Sequence, residues 1–280
     1  MSKPQVAVIM MMLKEKIKED GIYNTLKKLK DMGYNAVEIS QVEMSEENIT
    51  EMKRAIDELG MDICALSAVT ENFMPQIKFD TLKDDFDKIV EDAKTLDCKY
   101  LRIGMLPVHY MGKEEKYIEF AKELNEYGKR LNEHGMKLFY HNHHFEFERV
   151  GGKLAMDILV ENSDPEYVGF ELDVHWLQAG GQNPIDWIRK LKGRVELVHL
   201  KDYRIVTPEK LTGYEDLFKM VQFAEIGEGS LDFEGIIKAC EESDVKFMPI
   251  EQDMTYGRDV FESLQISMDN LKKMGYSELF

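Results

Sequence analysis

Eight short apolar runs punctuate this chain, and between them apolar positions recur every three or four residues. The runs are QVAVIMMML from Gln5, AVEIS from Ala36, DICALSA from Asp62, YLRIGM from Tyr100, KLFYHNH from Lys137, YVGFELD from Tyr167, VELVHLKD from Val195 and FMPIEQD from Phe247. Runs of this length, rich in Val, Ile, Leu, Phe and Met, read as buried strands. The intervening pattern is helical. Ile22, Leu26, Leu29 and Met32 line one face of a predicted helix over 22–32, and similar patterns run over 45–59, 79–96, 114–134 and 260–274. Gly33, Gly60 and Gly135 fall where three of these helices would end in a left-handed cap.

Strands that alternate with helices predict a parallel sheet, because each parallel connection needs a crossover. Eight such units predict a closed (β/α)8 TIM barrel of the α/β class, in a single domain over 1–280. The alternative, an open doubly wound sheet, usually has a glycine-rich turn after its first strand. IMMMLKEK contains no glycine. The longest gap, from Tyr203 to about Ser230, reads as an extended loop that folds over the barrel mouth.

Charge narrows the partners. Lysines and arginines number 36 against 53 acidic residues, a net charge of −17, with no basic cluster to neutralise phosphates. Nucleic acid is therefore not an expected partner. Cys64, Cys98 and Cys240 are scattered and fit no zinc or redox spacing, which suggests buried thiols in a reducing cytoplasm. The N-terminal stretch is too short to span a bilayer and lacks a small-residue cleavage site. It reads as a first strand, with no membrane role expected.

In a barrel of this kind, chemistry belongs at the C-terminal ends of the strands. There the fifth strand leads to Glu146, the sixth ends at Asp173, the seventh at His199 and Lys201, and the eighth at Glu251. Taken singly, each has a bland reading. Asp173 could cap the next turn, His199 could be a satisfied core histidine, and Glu251 could pair with a lysine or arginine. Buried carboxylates must nevertheless be neutralised, and convergence on consecutive strand ends favours one divalent cation, Mn²⁺, Mg²⁺, Co²⁺ or Zn²⁺. His141, His143 and His144 alternate sides, so at most two can face a pocket. Glu171 shares parity with Asp173 and is expected to point into the barrel in a structural role, paired with Arg102 or Lys201.

YHNHHFEF, FELDVHWLQAGGQNP, VHLKD, IGEGSLDF and PIEQD, in that order, resemble the xylose-isomerase-like superfamily of TIM barrels. Within it they resemble the sugar phosphate isomerase/epimerase family. The similarity covers nearly the whole chain and is strongest from Leu138 to Asp253. The resemblance implies that Glu146, Asp173, His199 and Glu251 are metal ligands, with Glu146 and Glu251 as the acid/base pair. It implies a sugar pocket lined by His143, Lys201 and Trp176, and a small-molecule sugar or polyol ketone as substrate. Were the fifth strand to bulge, His143 would take the place of Glu146 on the ion. Some epimerases carry His where this chain has Trp176, next to His175. His109, after the fourth strand, is a candidate contact for substrate or, equally, a surface-loop residue. The DNA-repair branch of the superfamily holds three zinc ions. This chain has no His before His109 and offers Asp202-Tyr203-Arg204 where an Asp-x-His would be needed.

The expected activity is a metal-dependent isomerase or epimerase that abstracts a proton beside a carbonyl, through an enediolate. Two alternatives are a lyase that uses the same enolisation (inosose-type dehydration or 3-keto-glycoside cleavage) and a non-catalytic sugar-binding or partner subunit. A homo-oligomer is compatible with the fold, but no interface is legible. IGEGSLDF has glycines suited to a phosphate nest, although a turn into a helix capped by Ser230 or Asp232 is the expected role.

Overall fold

The computed structural model describes residues 3–72, 80–208, 210 and 212–280. Eight parallel strands close into a barrel: β1 (Gln5–Ile9), β2 (Ala36–Ile39), β3 (Asp62–Ala68), β4 (Tyr100–Ile103), β5 (Lys137–His141), β6 (Val168–Asp173), β7 (Val195–His199) and β8 (Phe247–Ile250). Each strand pairs with its neighbours in sequence, and β8 pairs back onto β1, with Gln5 opposite Phe247 and Val8 opposite Ile250. The eight apolar runs are these strands. β1 is shorter than its run, because Met10–Leu13 turn into a 3-10 helix.

Among the described residues ten α-helices alternate with or follow the strands: α1 (Lys14–Asp20), α2 (Ile22–Met32), α3 (Glu46–Leu59), α4 (Phe86–Thr95), α5 (Glu114–Asn132), α6 (Ala155–Asn162), α7 (Val174–Ala179), α8 (Pro184–Lys190), α9 (Phe233–Glu242) and α10 (Val260–Lys273). Local chemistry fixes their ends. Ser45 accepts a hydrogen bond from the Asn48 N–H at the start of α3, and Asp232 accepts from the Gly235 N–H at the start of α9. Gly33 and Gly60 end α2 and α3 at φ +111° and +64°, a region that a side chain would strain. α4 begins at Phe86 rather than 79. Thr81 and Asp85 first build a side-chain-bonded turn, and the expected start at Phe79 lies outside the described residues.

The barrel interior changes character from bottom to top. At the N-terminal end, Ala65, Phe139 and Leu197 form a small apolar cluster against Tyr100 and Phe247. Gly169 of β6 leaves room for the Phe139 ring, since a Cβ there would lie 2.5 Å from it. Above this layer the interior is charged.

After β7 the chain forms an antiparallel ribbon, Asp202–Ile205 with Val221–Ala224, where an extended loop was expected. Alternation along its two short strands turns Phe223 toward His175 and Trp176, at ring separations of 5.0 and 6.2 Å. The ribbon therefore stands over the mouth.

Candidate metal centre

Strand parity decides which side chains enter the barrel. Phe139 points inward, so His141, two residues on, does too. Glu171 and Asp173 are likewise two apart and occupy successive interior layers. The lower layer draws on alternate strands, as barrel geometry requires: Glu38 from β2, Arg102 from β4 and Glu171 from β6. Arg102 bonds Glu171, lies 3.3 Å from Glu38 Oε1 and donates to Ser67 Oγ at 3.0 Å.

The upper layer brings His141, Asp173, His199 and Glu251 together, with one donor atom of each within 4.8 Å of the others. His199 Nδ1 is 2.5 Å from Glu251 Oε2 and 4.0 Å from Asp173 Oδ2, and His141 Nε2 is 3.7 Å from Asp173 Oδ2. All four residues are buried. Both ring nitrogens of His141 and Oδ2 of Asp173 lack a hydrogen-bond partner among the described residues. Orphaned buried polar atoms are costly, and two imidazoles with two carboxylates suit a divalent transition ion. Asp173 serves twice: Oδ1 caps the next helix by accepting the Trp176 N–H at 3.0 Å, which leaves Oδ2 for the centre.

Electrostatics follow from this packing. Burial pushes the His141 imidazole well below its ordinary range, and Arg102 and His199 add to the effect, so it is neutral, as a ligand must be. Burial opposes ionisation of Glu251, but Lys201 and His199 outweigh it and hold the carboxyl well below the usual range. Burial also disfavours charge on Lys201, yet Glu251, Asp173 and Asp253 hold its ammonium protonated. Lys201 Nζ lies 3.1 Å from Glu251 Oε1, 3.4 Å from Asp173 Oδ2 and 2.8 Å from Asp253 Oδ2.

Of the four ligands expected from sequence, Asp173, His199 and Glu251 converge, and His141 completes the group. Glu146 lies apart from this cluster, on a 3-10 turn beyond β5. Its oxygens accept from the Tyr140 hydroxyl and, at 2.8 Å, from the His143 N–H. Burial pushes its carboxyl up to about 7. His143 does not replace it in the cluster; its ring stacks on Phe145 and lies 5.5 Å from Trp176. His144 is exposed. Trp176, His175 and Phe223 surround Lys201, whose Nζ is 5.0 Å from the Trp176 ring centre. His143 Nδ1, His175 Nδ1 and Trp176 Nε1 are buried and unpartnered among the described residues, so this wall offers free polar atoms. His109 is half-exposed on the rim, 3.5 Å from Glu71. A cleft of about 510 Å³ adjoins the centre at Asp253, lined by Met11, Met12, Gln41, Thr255 and Arg258 among others.

The glycine loop IGEGSLDF is a backbone nest, and Asp202 fills it. That carboxylate accepts the N–H groups of Tyr203, Gly227, Gly229, Ser230 and Leu231 at 2.8–3.2 Å. The loop's N–H groups are thus taken up by a carboxylate of the chain itself.

The family model for a xylose isomerase-like TIM barrel matches residues 26–265. An inosose dehydratase of Clostridium tetani (strain Massachusetts / E88) is 31% identical over 147 residues, covering 50% of this chain and 49% of that protein. The chain spans about half the length of the curated relatives it matches. A sugar phosphate isomerase/epimerase from Parabacteroides distasonis ATCC 8503 superposes with a TM-score of 0.74 at 22% identity, over 99% of this chain and 96% of that one. The IOLI protein with a bound zinc atom superposes with a TM-score of 0.71 at 17% identity, over 99% of both chains. At these identities the two likenesses show the fold. Among the described residues no helix is long and apolar enough to cross a membrane.

Proposed function

Because this chain belongs to the xylose isomerase-like TIM barrel family, we propose that it is a divalent-metal-dependent carbohydrate isomerase or epimerase acting on a small sugar or polyol ketone. The observation that carries the reading is the buried meeting of His141, Asp173, His199 and Glu251, with both ring nitrogens of His141 left without a hydrogen-bond partner among the described residues. These four would hold one ion, of which Mn²⁺, Mg²⁺, Co²⁺ and Zn²⁺ are the candidates. When bound there, such an ion would polarise a substrate carbonyl and acidify the adjacent C–H.

The chain's own groups supply the rest. Glu251, kept ionised by Lys201 and His199, is the base that removes the proton beside the carbonyl. Lys201 donates hydrogen bonds to substrate oxygens as negative charge develops on them. Trp176 offers a ring face to the sugar, and His143 and His175 offer free ring nitrogens to its hydroxyls. His109, on the rim, is a peripheral contact. Glu146 is the second carboxyl of the pair. Its position near 7 suits a group that gives and takes a proton at neutral pH, and its anchoring to Tyr140 and His143 steadies this wall of the site.

The similarity to inosose dehydratases favours a second reading, in which the same proton abstraction is followed by loss of a β-hydroxyl. A ketose and inosose panel run in deuterium oxide with added metal separates the two. Isomerisation or epimerisation places deuterium on carbon and adds nothing else, whereas dehydration removes the mass of water. The E251Q variant should lose turnover with its fold intact. Near-normal turnover in E251Q would refute the assignment.

A further inference from the structure

His199 is held from two sides. Its Nδ1 faces Glu251 and Asp173 in the upper layer, while its Nε2 faces Glu38 Oε2 at 3.0 Å and Glu171 Oε1 at 3.2 Å in the lower one. Glu38, Glu171 and His199 themselves form a second group with converging ligand atoms. Arg102 excludes an ion there, because its guanidinium already bonds Glu171 and lies 3.3 Å from Glu38 Oε1. A dication beside that fixed cation would meet direct repulsion.

We propose that Glu38 and Glu171, clamped by Arg102, are positioning residues: Glu38 accepts the His199 Nε2–H, Glu171 faces the same nitrogen as an ion-pair partner, and together they make Nδ1 the nitrogen that meets the ion. The inference rests on the metal-centre reading above. Its physical basis is that an imidazole with one N–H engaged by a carboxylate has a fixed tautomer and ring orientation and a more basic second nitrogen. The nitrogen facing the ion gives up its proton on binding, while Nε2 keeps its own. Burying two carboxylates and a guanidinium in the barrel is a poor way to stabilise it, because apolar residues of similar volume often do as well or better. A purely structural role would therefore leave metal affinity unmoved when the trio is replaced by apolar side chains, whereas a positioning role would not.

The test uses the full chain and Zn²⁺ alone. Long-range ¹H–¹⁵N spectra of histidine-labelled, Zn²⁺-loaded protein should show His199 with Nδ1 metal-bound and Nε2 protonated. Zn²⁺ competition against a chelating dye should show the triple variant E38M/R102M/E171M folded but about 10- to 100-fold weaker in affinity. E38Q keeps an oxygen acceptor and should lose less than tenfold. Nε2 ligation in the wild type overturns the inference, as does a folded triple variant with wild-type affinity. If the triple variant fails to fold, the wild-type spectrum decides alone. Wild-type protein that binds no Zn²⁺ sinks the metal centre itself, and the inference with it.

Discussion

Lys201 Nζ stands 3.1 Å from Glu251 Oε1, so an ammonium group shares the carboxylates that an ion would need. The same amine is 2.8 Å from Asp253, which offers it somewhere to go. Cation and ion compete. K201M should therefore bind Mn²⁺ or Zn²⁺ more tightly, by about fivefold if the repulsion removed is ~1 kcal/mol. It should also melt at a lower temperature without metal and lose most of its turnover. Weaker metal binding by folded K201M would contradict this picture.

Glu146 makes stability depend on pH. Its carboxyl is raised from an ordinary 4.5 to about 7 by burial, with the Tyr140 and His143 hydrogen bonds only partly offsetting this. The folded state thus binds this proton more tightly than the unfolded chain. The contribution is fully present below pH 4.5 and is lost as pH rises through 7. E146Q removes the titration and keeps an acceptor for the His143 N–H. Denaturation curves should show the variant gaining on wild type by on the order of 2–3 kcal/mol between pH 5 and 8. A stability difference that stays flat across that range would refute the raised carboxyl. In the deuterium assay, E146Q should still exchange the substrate proton with solvent while product formation falls.

The nest around Asp202 gives a prediction unconnected with metal. An Asn there keeps one acceptor oxygen and turns an amide N–H₂ toward backbone N–H groups. D202N should lose about 2 kcal/mol of stability, with faster hydrogen exchange at Gly227, Gly229, Ser230 and Leu231. Unchanged protection at these amides would show that the carboxylate does not hold the loop.

Eight strands and their barrel closure were legible in the sequence, because a parallel strand buried on both faces is a short apolar run with helical patterns on either side. The ribbon after β7 was not legible. Its strands, Asp202–Ile205 and Val221–Ala224, are short and mixed in polarity, and only tertiary pairing fixes them. Strand ends announced Asp173, His199 and Glu251. His141 was readable only through parity: Phe139 belongs to the barrel interior, so His141 does too, while Tyr140 turns out to pack on Phe120 of α5. Glu146 follows a 3-10 turn, where strand alternation no longer predicts direction. Glu171 was legible as an inward partner for Arg102 or Lys201, and it bonds Arg102; Glu38 carried no signal of its own, since a single charge within an apolar run does not reveal its partner.

Metal should stabilise the chain in proportion to occupancy. At free Zn²⁺ 100-fold above its dissociation constant, binding adds about 2.7 kcal/mol, enough for a melting shift of several degrees. H141A and D173A should each lose most of that shift and remain folded. An equal shift in both variants would place the ion elsewhere.

Anomalous X-ray scattering from crystals soaked in Mn²⁺ is the most direct measurement. One strong peak is expected, touching His141, Asp173, His199 and Glu251, with His199 contributing Nδ1. A peak bound by Glu146, a peak between Glu38 and Glu171, or no peak at all would contradict it.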